Sequence, residues 1–154
     1  MLIVFPLGLL ATGVICDLIY LFGGPPSAAT ASYWMIGLGI IGGLVAAPFG
    51  WIDWFAIPRG TRARAIGLWH GAGNVVVLLL FAGSWWLRHR GLPDTPDTIA
   101  LVLSFVGAGL ALVTGWLGGE LVDRLGIGVD EGAHVNAPSS LSSRRVHERA
   151  GARP

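Results

Sequence analysis

The chain has 154 residues, of which 53% are apolar and 12% are charged, and its formal net charge at pH 7 is +1. An ordinary soluble domain has about one quarter charged residues, so this composition excludes a typical soluble protein and indicates a membrane protein. All ten basic residues are arginines, and a net charge so close to zero gives no reason to expect a nucleic-acid partner.

Four apolar runs follow one another along the chain, at about 2–22, 33–57, 66–87 and 98–120. Each is close to the ~20 residues that a helix needs to cross a hydrocarbon layer of about 30 Å. Inside a bilayer the backbone groups must be paired within the segment, so we expect helices. The predicted fold is all-α, a polytopic membrane protein with a four-transmembrane-helix bundle over residues 1–129.

The segments between these runs are turn-forming and polar. They read "GGPPSAATAS", "PRGTRAR" and "RHRGLPDTPDT", and glycine and proline at such places end one helix before the next begins. From 130 to 154 the sequence is rich in Ser, Arg, Gly, Ala and Pro and has few large apolar side chains. Such a segment cannot bury enough surface to fold alone, so we predict a disordered cytoplasmic tail.

The arginines near the helix ends predict the orientation. On one side of the membrane we place the inner-face basic residues Arg59, Arg62, Arg64 and Arg124, and on the other Arg88 and Arg90. Cytoplasmic flanks carry the excess of basic residues. We therefore expect a multi-pass protein of the plasma membrane with both termini in the cytoplasm.

Four polar residues of the predicted helices share one depth near the inner membrane face: Asp53, His70, Asn74 and Glu120. His70 and Asn74 are four positions apart and share a helix face, whereas Asp17 lies toward the outer side. One interpretation is structural, with Asp53 or Glu120 pairing with His70 or with the inner-face arginines. The other is a proton-titratable or ligand-binding cluster centred on His70, because ionisable residues inside membranes often serve function.

Five segments carry a resemblance to a known family. "FPLGLL" with "VICDLIYLF", then "GWIDW", "RARAIGLWHGAGN" and "GWLGGELVDRLGIGV" resemble the DUF2231 family of predicted bacterial membrane proteins, from residue 1 to about 129. The resemblance implies that Asp17, Asp53, His70, Asn74 and Glu120 occupy the family's polar motif positions, and it implies no settled activity. Some relatives look fused to, or encoded beside, Rieske-type iron–sulfur domains, which implies an electron-transfer partner.

The resemblance has one departure. Family members often begin with a His-Pro pair before the Phe-Pro motif, whereas Met1 here stands immediately before "LIVFP". We expect either that the pair is absent or that the true start lies upstream. The presence or absence of this histidine bears on haem binding, because a b-type haem in a helix bundle normally has two histidine ligands. The predicted helices contain only His70 as a ligand candidate.

The sequence is compatible with three functional classes. The first is a non-catalytic membrane anchor or partner subunit, whose partners are the lipid bilayer and either a redox protein or further copies of the chain. The second is an electron-transfer subunit that binds haem b or contacts quinone near His70. The third is proton-coupled or small-solute transport. No catalytic constellation, phosphate-binding loop or metal-ligand spacing favours an enzyme or a metal site, and no cofactor is expected under the first class.

Overall fold

The computed structural model describes residues 3–130 and 132–139 of the chain. The elements in chain order are α1 (Val4–Leu21), α2 (Pro26–Ala56), α3 (Arg62–Arg90), α4 (Thr98–Gly119) and a π-helical turn, Glu120–Arg124, that continues α4. No β-strand occurs in this described part. The all-α prediction is therefore confirmed, whereas most of the predicted disordered tail lies outside the described residues.

α2 and α3 are longer than hydropathy predicts. α2 begins at Pro26 rather than at 33, and α3 extends from Arg62 to Arg90 rather than over 66–87. Pro26 occupies the first helical turn, where proline needs no hydrogen-bonded N–H. At the start of α3, the Thr61 hydroxyl accepts a hydrogen bond of 3.2 Å from the backbone N–H of Arg64, which caps the helix. At 1.5 Å per residue the two helices are about 46 and 43 Å long, so both extend beyond a hydrocarbon layer of about 30 Å.

Consecutive helices run in opposite directions because short loops join them. α1 packs mainly against α2 and α3 against α4, and the two hairpins meet chiefly across α2 and α3. Loops 22–25 and 91–97 lie at one end of the bundle, which we call the two-loop end. Loop 57–61 and the π-helical turn lie at the other, which we call the one-loop end.

The apolar core is small and depends on glycine. Its buried side chains are Leu10, Ile36, Val77 and Phe81. A Cβ atom on Gly39 would lie 2.7 Å from the Leu10 side chain, and one on Gly43 would lie 2.6 Å from Leu78. This G-x-x-x-G pair on α2 therefore lets α1 and α3 approach its backbone closely, as small residues do between membrane helices.

The outside of the bundle is apolar along most of its length. Leu79 of α3 is 65% exposed and Leu112 of α4 is 79% exposed. All four helices are long and apolar enough to cross a membrane. Apolar side chains exposed on this scale belong in contact with lipid rather than water, and the chain is a multi-pass membrane protein.

Candidate functional site

A polar cluster at the one-loop end joins α3 to α4. It consists of His70, Asn74 and Thr114, and we call it the His70 cluster. Nδ1 of His70 lies 2.8 Å from the backbone carbonyl oxygen of Thr114, and Nε2 lies 3.1 Å from the side-chain nitrogen of Asn74. The Thr114 hydroxyl donates to Oδ1 of Asn74 over 3.0 Å. The three side chains and the backbone carbonyl of Thr114 thus form a closed ring of hydrogen bonds, and Thr114 is buried.

The partners of His70 define its tautomer. A carbonyl oxygen only accepts, so Nδ1 carries the hydrogen and donates to Thr114. Nε2 then accepts from the Asn74 amide. The imidazole also packs tightly against α4, because a Cβ atom on Gly118 would lie 3.0 Å from its Cε1. Both ring nitrogens are therefore engaged within the protein, and neither is directed at free space.

Of the two acidic residues predicted to pair with His70 or with an inner-face arginine, Glu120 pairs with an arginine and neither contacts His70. Glu120 accepts a hydrogen bond of 2.6 Å from Arg62, in an ion pair whose arginine side chain is 63% exposed. Asp53 is exposed on α2, and it has no hydrogen bond or ion pair among the described residues. His70 and Asn74 are thus brought together, whereas Glu120 belongs to a separate surface pair at the same end and Asp53 stands apart.

Arg64 stabilises the end of α2. Its Nη1 donates to the carbonyl oxygens of Ile57 at 2.6 Å and Trp54 at 3.3 Å. The guanidinium carbon lies 4.1 Å from the centre of the Trp54 ring, a cation–π contact, and the indole N–H donates to the Arg64 carbonyl oxygen at 3.0 Å. The arginine therefore satisfies carbonyl groups that a helix C-terminus leaves unpaired. The remaining inner-face basic residues, Arg59 and Arg124, are exposed.

A second polar cluster, at the two-loop end, contains a fully buried ion pair. Arg88 donates from Nη2 to Oδ2 of Asp17 at 2.7 Å and from Nη1 to Oδ1 at 2.9 Å. Both side chains have 0% of their surface exposed. The two parallel hydrogen bonds give the bidentate geometry that makes arginine–carboxylate pairs strong and directional.

Three buried serines complete the Asp17–Arg88 cluster. Ser104 of α4 donates to Oδ2 of Asp17 at 3.0 Å, and Nε of Arg88 donates to the hydroxyl of Ser84 at 3.3 Å. Ser84 in turn donates to the Ala100 carbonyl oxygen of α4 at 2.7 Å, while Ser32 of α2 accepts a longer contact of 3.5 Å from Nη1. Every helix of the bundle therefore contributes a side chain to this cluster.

Sequence reasoning missed the partner of Asp17. It assigned Arg88 to the loop after the third helix, whereas the structure places it in the last turn of α3. A usable signal was present, because a carboxylate inside a spanning helix needs a cation at the same depth. In the predicted topology, Arg88 and Arg90 are the arginines on the same side of the membrane as Asp17.

An aromatic stack lies beside the buried ion pair. The rings of Tyr33 and Trp85 are stacked with centroids 5.4 Å apart, and those of Trp85 and His89 with centroids 5.2 Å apart. The Tyr33 hydroxyl lies 2.9 Å from Nδ1 of His89. Because Tyr33 belongs to α2 and the other two belong to α3, the stack holds the two hairpins together at the two-loop end.

The described residues offer little for metal chemistry. They contain no group of three or more His, Cys, Asp or Glu side chains arranged to hold a metal ion. The single cysteine, Cys16, is a half-buried free thiol of α1. The His70 cluster and the Asp17–Arg88 cluster pair polar groups across helices at two depths.

Comparison with known proteins gives one match, to a family model. No curated protein and no solved structure matches this chain. The family model described as "Predicted membrane protein (DUF2231)" matches residues 1–131, a range that includes all four helices and both polar clusters. The chain belongs to the DUF2231 family of predicted membrane proteins.

Proposed function

We propose that this chain is a non-catalytic membrane component, an anchor or partner subunit, whose polar clusters join its helices. One observation carries the proposal: within the described residues, no buried side-chain nitrogen or oxygen lacks a hydrogen-bond partner. A binding site instead presents a few polar groups toward the space that its ligand fills. In the His70 cluster and the Asp17–Arg88 cluster, the polar groups instead bond to one another within the protein.

The separation of the two clusters argues against a transport path. His70 and Arg88 are 18 positions apart on α3, about 27 Å along a helix. Between Asn74 and Ser84 the helix reads "VVVLLLFAG", and between Ser104 and Thr114 α4 reads "FVGAGLALV". A proton or solute path needs polar groups or water through the full depth. The apolar middle of the bundle supports an anchor instead.

The engagement of His70 argues against haem ligation. To bind iron through Nε2, His70 would have to give up the Asn74 amide, and through Nδ1 it would have to give up the Thr114 carbonyl. The alternative is an electron-transfer subunit that binds haem b or contacts quinone near His70, and the experiment must distinguish it from an anchor. A redox protein remains one partner class for an anchor, and a second copy of the chain is the other.

The proposal extends to orientation. We place the one-loop end, with the His70 cluster, at the cytoplasmic face of the plasma membrane, with both termini inside. The support is the arginine distribution, since Arg59, Arg62, Arg64 and Arg124 lie at this end and basic residues mark cytoplasmic flanks. Single cysteines test it: in a Cys16→Ser background, an impermeant maleimide should label Asp94→Cys in intact cells and Arg59→Cys only after permeabilisation. The reverse pattern would overturn the orientation.

The function is tested on the detergent-purified full chain, expressed with haem available. Ultraviolet–visible spectra are recorded before and after dithionite, and proton flux is measured in vesicles that contain the protein. We expect no Soret band that shifts on reduction and no flux above that of empty vesicles. A Soret band or a flux that disappears in His70→Ala would refute the anchor proposal. Light scattering on the same sample gives the number of chains in each particle.

A further inference from the structure

The lipid-facing side of α2 carries a shallow apolar groove near the two-loop end. Its lining residues are Trp34, Gly37, Leu38, Ile40 and Ile41 of α2 and Trp85 of α3. The groove therefore lies where the two hairpins meet. Two of its lining side chains are well exposed, Leu38 by 48% and Ile41 by 59%. A molecule that enters this groove comes from the bilayer.

One wall of the groove carries a polar group with no partner. The Trp85 ring lies over Gly37, with Nε1 only 2.7 Å from the position that a Cβ atom on Gly37 would take. This indole N–H makes no hydrogen bond within the described residues, although its ring is half-buried. By contrast, the N–H of Trp54 donates to a backbone carbonyl. An unpaired donor in an apolar groove suits a ligand that brings a hydrogen-bond acceptor.

The length of the apolar surface fits one acyl chain. A second depression is lined by Phe5, Leu9, Leu38, Ile41, Gly42 and Val45, and it shares Leu38 and Ile41 with the first. From Trp34 to Val45 the two depressions follow α2 for 11 positions, which is about 16 Å. This is close to half of a hydrocarbon layer of about 30 Å, the depth that one leaflet's acyl chains occupy.

Two residues at the end of α3, His89 and Arg90, follow Trp85 along the helix. His89 stacks on Trp85, and its Nδ1 faces the Tyr33 hydroxyl, so Nε2 is the ring nitrogen without a partner among the described residues. Arg90 follows at the end of α3 and is exposed, whereas Arg88 is buried in its ion pair. An exposed arginine and an imidazole at the headgroup level complement a phosphate.

We propose that this groove binds one anionic phospholipid as a fixed partner of the bundle. The acyl chain lies over Gly37, Leu38 and Ile41, its ester carbonyl accepts from the Trp85 indole N–H, and its phosphate lies near His89 and Arg90. The lipid contacts both α2 and α3, so it bridges the two hairpins. The site is independent of the His70 cluster and does not depend on the anchor function.

Native mass spectrometry of the full chain tests the proposal, after exchange into detergent with phosphatidylglycerol or phosphatidylcholine added. We expect one retained phosphatidylglycerol for each chain. Trp85→Phe keeps an aromatic ring at this position and removes the N–H donor, so it should raise the dissociation constant about fivefold, the effect of losing one hydrogen bond. Trp116→Phe, a 68% exposed tryptophan at the opposite end, is the matched control and should bind as the unmodified chain does.

A second variant tests the proposal even if Trp85→Phe does not fold. Arg90→Gln changes an exposed residue and should weaken phosphatidylglycerol binding more than phosphatidylcholine binding, because the choline cation of phosphatidylcholine already offsets its phosphate charge. Equal lipid retention by Trp85→Phe and the unmodified chain would overturn the proposal. So would a bound mass that corresponds to a quinone, or a dimer whose abundance falls in Trp85→Phe, because the groove would then hold a different occupant.

Discussion

Removal of one member of the buried ion pair should destabilise the bundle more than any other single change at the two-loop end. Arg88→Leu deletes both hydrogen bonds to Asp17, at 2.7 and 2.9 Å, and leaves a carboxylate with 0% of its surface exposed. Among the described residues, Ser104 is then its one remaining donor. An unpaired buried charge of this kind costs about 3–5 kcal/mol, which is a large share of the ~5–15 kcal/mol that a typical fold has available.

A double variant distinguishes the net contribution of the ion pair to stability from the cost of leaving one charge unpaired. In Asp17→Leu with Arg88→Leu neither charge remains, so nothing buried needs a counterion. Replacement of a buried ion pair by apolar side chains is often neutral or stabilising, by up to a few kcal/mol. We therefore expect the double variant to be at least 2 kcal/mol more stable than Arg88→Leu alone.

The free energy of unfolding is measured in mixed micelles by titration with a denaturing detergent, followed by circular dichroism. Ser32→Ala is the matched control, because the 3.5 Å contact with Arg88 is the one hydrogen bond of its hydroxyl in the described part of the chain, and its loss should matter by less than about 0.5 kcal/mol. If the double variant is as unstable as the two single losses added together, the unpaired charge is not the source of the destabilisation.

Three further predictions concern other parts of the bundle. Asn74→Ala removes both of its bonds within the His70 cluster and should cost about 1–2 kcal/mol in the same titration; an unchanged value would show that the cluster does not join α3 to α4. Gly39→Val overfills a tight contact and should cost about 1–3 kcal/mol, whereas Gly109→Val, with open space around it, should change little; equal effects would contradict the packing. Arg62→Ala breaks an exposed pair with Glu120 and should cost below about 1 kcal/mol, less at high salt; a larger, salt-independent loss would argue against a surface pair.

The spanning helices could be predicted because hydropathy reports directly on transfer into lipid. Each apolar run is long enough to cross the bilayer, and no other backbone structure satisfies its own hydrogen bonds there except a closed barrel. The ends of the helices could not be predicted in the same way. A helix continues through polar residues as long as its backbone groups stay paired, so α2 begins at Pro26 and α3 ends at Arg90, beyond the apolar runs that define them.

Local spacing predicted that His70 and Asn74 share a helix face, but it gave no sign of Thr114. His70 and Asn74 are one helical turn apart, and their hydrogen bond follows from that spacing. Thr114 is 44 positions from His70, and a threonine inside an apolar helix gives no signal in a hydropathy profile. Its side chain reaches the cluster because α3 and α4 form an antiparallel hairpin, which fixes the depth at which it meets His70.

The assignment of Arg88 to a loop shows the limit of treating charges one at a time. For an isolated helix in lipid, an arginine marks the end of the span, because its insertion costs about 2.5–3.5 kcal/mol near the centre. The cost changes once a partner lies at the same depth, and here that partner is 71 positions away in the sequence. Asp17 in α1 was the sign that such a partner must exist. In a short membrane protein, an ionisable residue inside one helix is therefore evidence about the depth of an opposite charge on another, and this evidence takes precedence over hydropathy where the two disagree.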